Sequence, residues 1–313
     1  MMRLAPEFRM SKKTGAGHAL VCLLLLGAMP LLAVARPADV PALTFTLIIT
    51  IWQVAAALPL TLLEWRRGEL RLLSSAALSA REWGVALLTG AMFGLSTWAY
   101  VLGAAKVGPV NFIILLQSYP LIAALMEFVV LGQRRGRAEL GLTVVMILAI
   151  TYLVSGGTFS LGNISLWSLM VLAIPVLWSA AHMLLRRLLV KARMTANQVT
   201  LSRLVISGVF LAAAVVASGE GQQFLGEFKQ LNVQVPAAVF GAVYYLELLF
   251  WFLAMRHIPV SLASSITVPA PALTMLAAVL LLGQSVAAYQ VVAMLVIAAS
   301  LYGLLYVEMT RRS

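Results

Sequence analysis

The chain has 313 residues, 62% of them hydrophobic and only 11% charged, with a mean hydropathy of +0.98. This is more apolar surface than one aqueous core of that length can hide, which excludes a soluble globular domain and indicates a membrane protein. The net charge of +11 comes without aromatic-basic interleaving, so it does not describe a nucleic-acid surface. One cysteine, Cys22, precludes an internal disulfide, and the three histidines are too scattered along the chain to suggest a metal cluster.

A membrane-spanning helix needs roughly 20 apolar residues. That length predicts ten helices, over residues 17–34, 41–63, 83–105, 109–131, 139–156, 164–186, 196–217, 235–255, 258–282 and 287–307. The predicted fold is therefore all-α. The opening segment, with basic residues, then VCLLLLGAMPLLAV, then Ala33-Val34-Ala35, resembles a signal peptide. Two features favour a retained helix: GAMPLLA around Pro30 is echoed by LAIPVLW around Pro175 in helix 6, and nine helices would conflict with the charge pattern.

The charge pattern is informative because basic residues collect on the cytoplasmic side. With the N-terminus cytoplasmic, eighteen of the 22 Lys and Arg fall on that side: before helix 1, after helices 2, 4, 6 and 8, and at the C-terminus. Arg36, Lys106 and Lys229 fall opposite, and Arg203 lies inside helix 7. The expected protein is a multi-pass protein of the cytoplasmic (inner) membrane with both termini inside.

The chain also repeats itself. GPVNFIILLQSYPLIAALMEFVVLGQ, ending at Gln133, returns as IPVSLASSITVPAPALTMLAAVLLLGQ, ending at Gln284. Pro109 and Pro259 are 150 residues apart, while Pro120 and Pro271, and Gly132 and Gly283, are 151 apart. Residues 17–156 and 164–308 are then two five-helix units between tails 1–16 and 309–313. Five is odd, so the second unit enters the bilayer upside down, and inverted repeats with mid-span breaks belong to transporters.

These motifs resemble the drug/metabolite transporter superfamily, and within it the ten-helix EamA-like branch, which includes amino-acid and metabolite exporters. The resemblance rests on the proline-broken helices 4 and 9 with their Leu-Gly-Gln ends, and on LWSAAHMLLRRLL in helix 6. It covers nearly the whole chain. It implies a central cavity lined by helices 1, 3, 4, 6, 8 and 9, with 5 and 10 peripheral. The family usually has glutamate where this chain has Gln133 and Gln284.

Candidate residues fall into three groups. Mid-helix prolines free a backbone carbonyl that lipid cannot satisfy, so Pro30, Pro120, Pro175, Pro269 and Pro271 are hinge candidates against a protein-lined cavity, or kinks between packed helices. Arg203 and Glu247 lie at similar depth, about 10 Å in at 1.5 Å per residue. Either they form a structural tie, or Glu247 takes up a coupling proton, or Arg203 meets a substrate carboxylate. Glu127 and His182 sit nearer the cytoplasmic ends, where snorkelling toward Arg134 or Arg137 and an interfacial hydrogen bond compete with a coupling role.

The third group is the expected substrate lining: Trp98 and Tyr100 in helix 3, Asn111, Gln117, Ser118 and Tyr119 in helix 4, Tyr244, Tyr245 and Trp251 in helix 8, and Ser261, Ser264, Ser265 and Thr267 in helix 9. Hydroxyls, an amide and several rings suit a small amphipathic metabolite such as an amino acid, although rings also serve as packing and interfacial anchors. Gly90 and Gly94 form a GxxxG that favours close packing inside the molecule over dimerisation.

P-loop, GxSxG and HExxH motifs and clustered carboxylates are all absent from the sequence. No cofactor or metal is implied, and transport would draw on an ion or substrate gradient. The expectation is a secondary active exporter of amino acids or related metabolites, with a small-molecule substrate and the lipid bilayer as partners and homodimerisation left open. The alternatives are an uncoupled facilitator or channel, and a non-transporting intramembrane enzyme or scaffold.

Overall fold

The computed structural model describes residues 12–69, 79–131, 136–192, 195–258 and 260–312. The helices are α1 (Lys12–Val34), α2 (Ala42–Arg66), α3 (Ala80–Val107), α4 (Pro109–Leu116), α5 (Tyr119–Leu131), α6 (Arg137–Val154), α7 (Leu166–Ala192), α8 (Ala196–Ala217), α9 (Gly221–Glu227), α10 (Leu231–His257), α11 (Val260–Thr267), α12 (Ala270–Leu282) and α13 (Ala288–Arg312). Among the described residues there are no strands, and nine spans are long and apolar enough to cross a membrane, with Pro109–Ala123 as a shorter apolar stretch. The fold is that of an all-α, ten-helix membrane protein.

Two crossings are each made of two short helices. α4 stops at Leu116 and α5 starts at Tyr119; α11 stops at Thr267 and α12 starts at Ala270. Pro120 and Pro271 therefore sit at the second position of a helix, where the missing amide hydrogen has no partner to lose. Pro30 and Pro175 instead lie within the continuous helices α1 and α7. Gly283, at φ +61°, caps α12 in the left-handed region, which explains a glycine after the apolar run. The matching Gly132 and Gln133 lie outside the described residues.

Helix starts keep the sequence spacing. α3, α4, α5 and α6 begin 151 residues before α10, α11, α12 and α13, and α1 and α2 begin 154 before α7 and α8. Packing follows the same exchange. α1 packs on α10 and α7 on α3; α2 packs on α10 and α8 on α3; α12 packs on α1 and α5 on α7; α2 meets α8 and α6 meets α13.

Matched glycines let these helices approach. A Cβ on Gly241 of α10 would lie 2.8 Å from the Ile49 carbonyl and 2.7 Å from Trp52 Cβ on α2, and one on Gly90 of α3 would run into Ile206 Cγ2 on α8 and lie 2.8 Å from its Cβ. Gly94 also faces α8, 3.3 Å from the Ser207 carbonyl, so the GxxxG is used inside the molecule. At one end of the α2–α8 pair the buried Glu64 accepts from Thr195 Oγ1 at 2.6 Å, Asn197 Nδ2 at 2.9 Å and Gln198 Nε2 at 3.3 Å. At the other end Thr44 Oγ1 donates to Glu220 at 2.8 Å. Each carboxylate thus lies at the N-terminus of the opposing helix, where the helix dipole favours negative charge.

The helices run past several predicted ends. α7 reaches Ala192 rather than 186 and α13 reaches Arg312 rather than 307, because the added turns carry charges that a hydropathy window stops at. α9, in the connection after α8, was not anticipated; it is too short and too mixed in polarity to register as a span.

Candidate functional site

At mid-depth, α3 and α10 each bring a tyrosine to the centre of the bundle. Tyr100 is fully buried, with ring centroids 6.0 Å from Tyr244, 6.1 Å from Phe240, 6.5 Å from Trp178 and 4.5 Å from Phe112. Trp178 of α7 is fixed by its Nε1, which donates to Ser96 Oγ on α3 at 2.9 Å. Tyr119 opens α5 and so stands just past the break, 6.2 Å from the Trp178 ring, with its hydroxyl 3.1 Å from His182 Nδ1. The His182 ring lies 5.3 Å from Phe93, and Phe93 carries the Arg203 guanidinium over its face at 3.8 Å. Such a cation–π contact contributes about 0.5–2 kcal/mol.

Glu247 lies three residues after Tyr244 and shares its helix face. Its carboxylate accepts from the Cys22 thiol of α1 at 3.4 Å. Arg203 is 8% exposed and Glu247 9%, and no ion pair joins them among the described residues. Tyr244 feels both charges and faces Arg203 and Thr97, but its hydroxyl is not in hydrogen-bonding geometry with either. The Tyr100 hydroxyl, Arg203 Nε and the Ser118 and Ser179 hydroxyls are also buried without partners. Each such group costs about 1–3 kcal/mol relative to a satisfied one. Tyr100, Tyr244, Arg203 and Glu247, with the rings of Phe240 and Phe93, offer donors, two opposite charges and ring faces within one buried region.

The remaining candidates are elsewhere. Gln117, at the α4 break, donates from Nε2 to the Val268 carbonyl just past α11 at the other break, 3.4 Å away; the two residues are themselves 151 apart. This side chain supplies the partner a freed carbonyl needs in lipid. Asn111 Oδ1 accepts from Gln290 of α13 at 2.7 Å. Tyr245 turns away from Tyr244 and donates to Asn197 at 2.8 Å, beside the Glu64 clasp. Trp98 packs with Leu47, Leu211 and Val215, and Trp251 with Ala19, Ala254, Ile258 and Ala263. Ser265 donates to the Leu262 carbonyl at 2.8 Å, and Thr267 is buried at the end of α11.

The side chains of Glu127, Ser261 and Ser264 lie outside the described residues. Pro30, Pro175 and Pro271 are buried, Pro120 is half-buried and Pro269 exposed. A crevice between Gln117, Val268, Pro271 and α13 is otherwise apolar and shares no residue with the tyrosine cluster.

Sequence reading missed Cys22, Phe93, Trp178, Ser179 and Phe240, which look like ordinary span residues until their neighbours are known. The 151-residue spacing of Gly90 and Gly241 was a usable signal for the close helix pairs. The three histidines, distant in sequence, are not all distant in space: the His18 and His257 ring centroids are 5.7 Å apart. Among the described residues no group of three or more His, Cys, Asp or Glu is placed to hold a metal.

Residues 165–306 match the EamA-like transporter family. The second half of the chain is thus EamA-like. That family lies within the drug/metabolite transporter superfamily of multi-pass membrane transporters. The chain matches no curated protein. Its fold is shared with a crystal structure of 17% sequence identity at a TM-score of 0.61, a match covering 94% of this chain and 98% of that one.

Proposed function

We propose that this EamA-like protein is a secondary active transporter of the inner membrane that exports amino acids or related small metabolites. Two inverted five-helix halves would present a central site alternately to each side, with both termini cytoplasmic. The observation that carries this reading is the pair of buried, opposite and unjoined charges, Arg203 and Glu247, beside the unpartnered hydroxyls of Tyr100 and Tyr244. Charges held in an apolar span are costly unless they serve a solute or an ion. A carboxylate suits Arg203, an ammonium suits Glu247, and the rings of Phe240 and Trp178 suit an apolar side chain.

The matched helix starts and exchanged packing partners support the inverted halves. In this reading the breaks are the hinges, and Pro120 and Pro271 keep the following helix from rejoining the preceding one. Glu247, flanked by Cys22, Arg203, Tyr100 and Tyr244, is the group through which a proton would couple.

The test is flux in proteoliposomes, with each of the twenty L-amino acids in turn and with or without an imposed proton gradient. Accumulation against the solute's own gradient supports the reading. Flux that only equilibrates points to a facilitator, and no flux of any solute contradicts transport of this class.

A further inference from the structure

α1 and α10 form a close pair of helices, and they cross tightly at one end. A Cβ on Gly15 would lie 2.7 Å from His257 Cβ, so the backbone of α1 passes directly over His257. One turn along α1, His18 turns toward the same residue: the ring centroids are 5.7 Å apart and tilted by 35°. In both rings Nδ1 is buried without a hydrogen-bond partner. The His18 ring also contacts Phe250, with centroids 5.7 Å apart.

Those distances fit a shared ion. With a metal–nitrogen bond of about 2.1 Å each ring centroid stands roughly 3.2 Å from the metal, so two imidazoles at a tetrahedral angle have centroids about 5.3 Å apart. An angle of about 126° at the metal reaches the 5.7 Å separation. The matched position of the first half is also a fastening point: Lys106, 151 residues before His257, sets its ammonium 4.9 Å over the Trp167 ring between α3 and α7.

We propose that His18 and His257 form a two-imidazole site for a divalent transition-metal ion, Zn²⁺ by preference, with water completing the coordination, and that the bound ion staples α1 to α10. Imidazole suits Zn²⁺ among the available ions, and two protein ligands imply modest rather than structural affinity. The site stands independently of whether the protein transports.

The experiment uses the full chain in detergent without a polyhistidine tag, titrated with ZnCl₂. The expected result is a saturable rise in Tm with one ion bound per chain by dye competition, lost in both His18→Gln and His257→Gln. His182→Gln, altering the one remaining histidine, keeps the response. No saturable rise, or a rise that survives in either of the first two variants, overturns the site. Should the variants not fold, the wild-type chain decides: Zn²⁺ shields His18 and His257 together from carbethoxylation by diethyl pyrocarbonate, read by mass spectrometry, and unchanged modification at either residue overturns the proposal.

Discussion

Arg203 separates a structural tie from a binding group. A buried ion pair broken by removing one partner costs about 3–5 kcal/mol, whereas a buried charge that serves a ligand can be replaced by an apolar side chain of similar volume at little cost or with a gain. Arg203 stacks on Phe93 and makes no ion pair with Glu247, so Arg203→Met is expected to cost no more than that stacking contributes, about 0.5–2 kcal/mol, seen as a small fall in Tm, while solute flux falls at least tenfold. A fall in Tm of many degrees with flux per folded molecule intact would show the arginine to be structural. Gln117→Leu is the converse case. It strands the Val268 carbonyl and is expected to lower stability by about 1–3 kcal/mol, seen as a lower Tm. The sequence exposed Arg203, Glu247, Tyr100 and Tyr244 because charge and hydroxyls stand out in apolar spans. It could not choose between Tyr244 and Tyr245, which are neighbours about 100° apart on one helix, until the partner helices were fixed. Nor could it rank Cys22, whose importance lies only in touching Glu247.

At the scale of elements, the breaks were visible as repeated prolines, and they fall where the spacing placed them. Their interlocking through Gln117 was not visible, since that bond joins residues 151 apart and depends on how the halves dock. The same holds for the glycines. Gly241→Ala drives a methyl against backbone at 2.8 Å and is expected to destabilise by several kcal/mol, and Gly90→Ala, whose methyl meets Cγ2 and Cβ of the stiff, β-branched Ile206, is expected to cost as much. Unequal losses in Tm would show that the α2–α10 and α3–α8 crossings are not equally compliant. The Glu64 clasp predicts a further effect: Glu64→Ala leaves Thr195, Asn197 and Gln198 without their acceptor and is expected to lower Tm more than Glu64→Gln, which keeps one carbonyl oxygen in place.

At the scale of the whole molecule, composition alone established an apolar helical bundle, and a count of basic residues made ten the consistent number of crossings. Substrate, coupling and direction were not legible, because they depend on which side chains converge and which polar atoms stay unpartnered. In the proposed mechanism two halves of opposite polarity rock about the Tyr100–Tyr244 cluster, opening one end as the other closes. The most direct test is double electron–electron resonance in a Cys22→Ser background. One spin pair on Ala105 and Leu166 reports the α3–α7 end, and a second on Gly17 and Leu262 reports the end where α1 meets α11. Rocking predicts two distances for each pair, with conditions that lengthen one shortening the other; a single fixed distance at both ends, or both ends opening together, would contradict it.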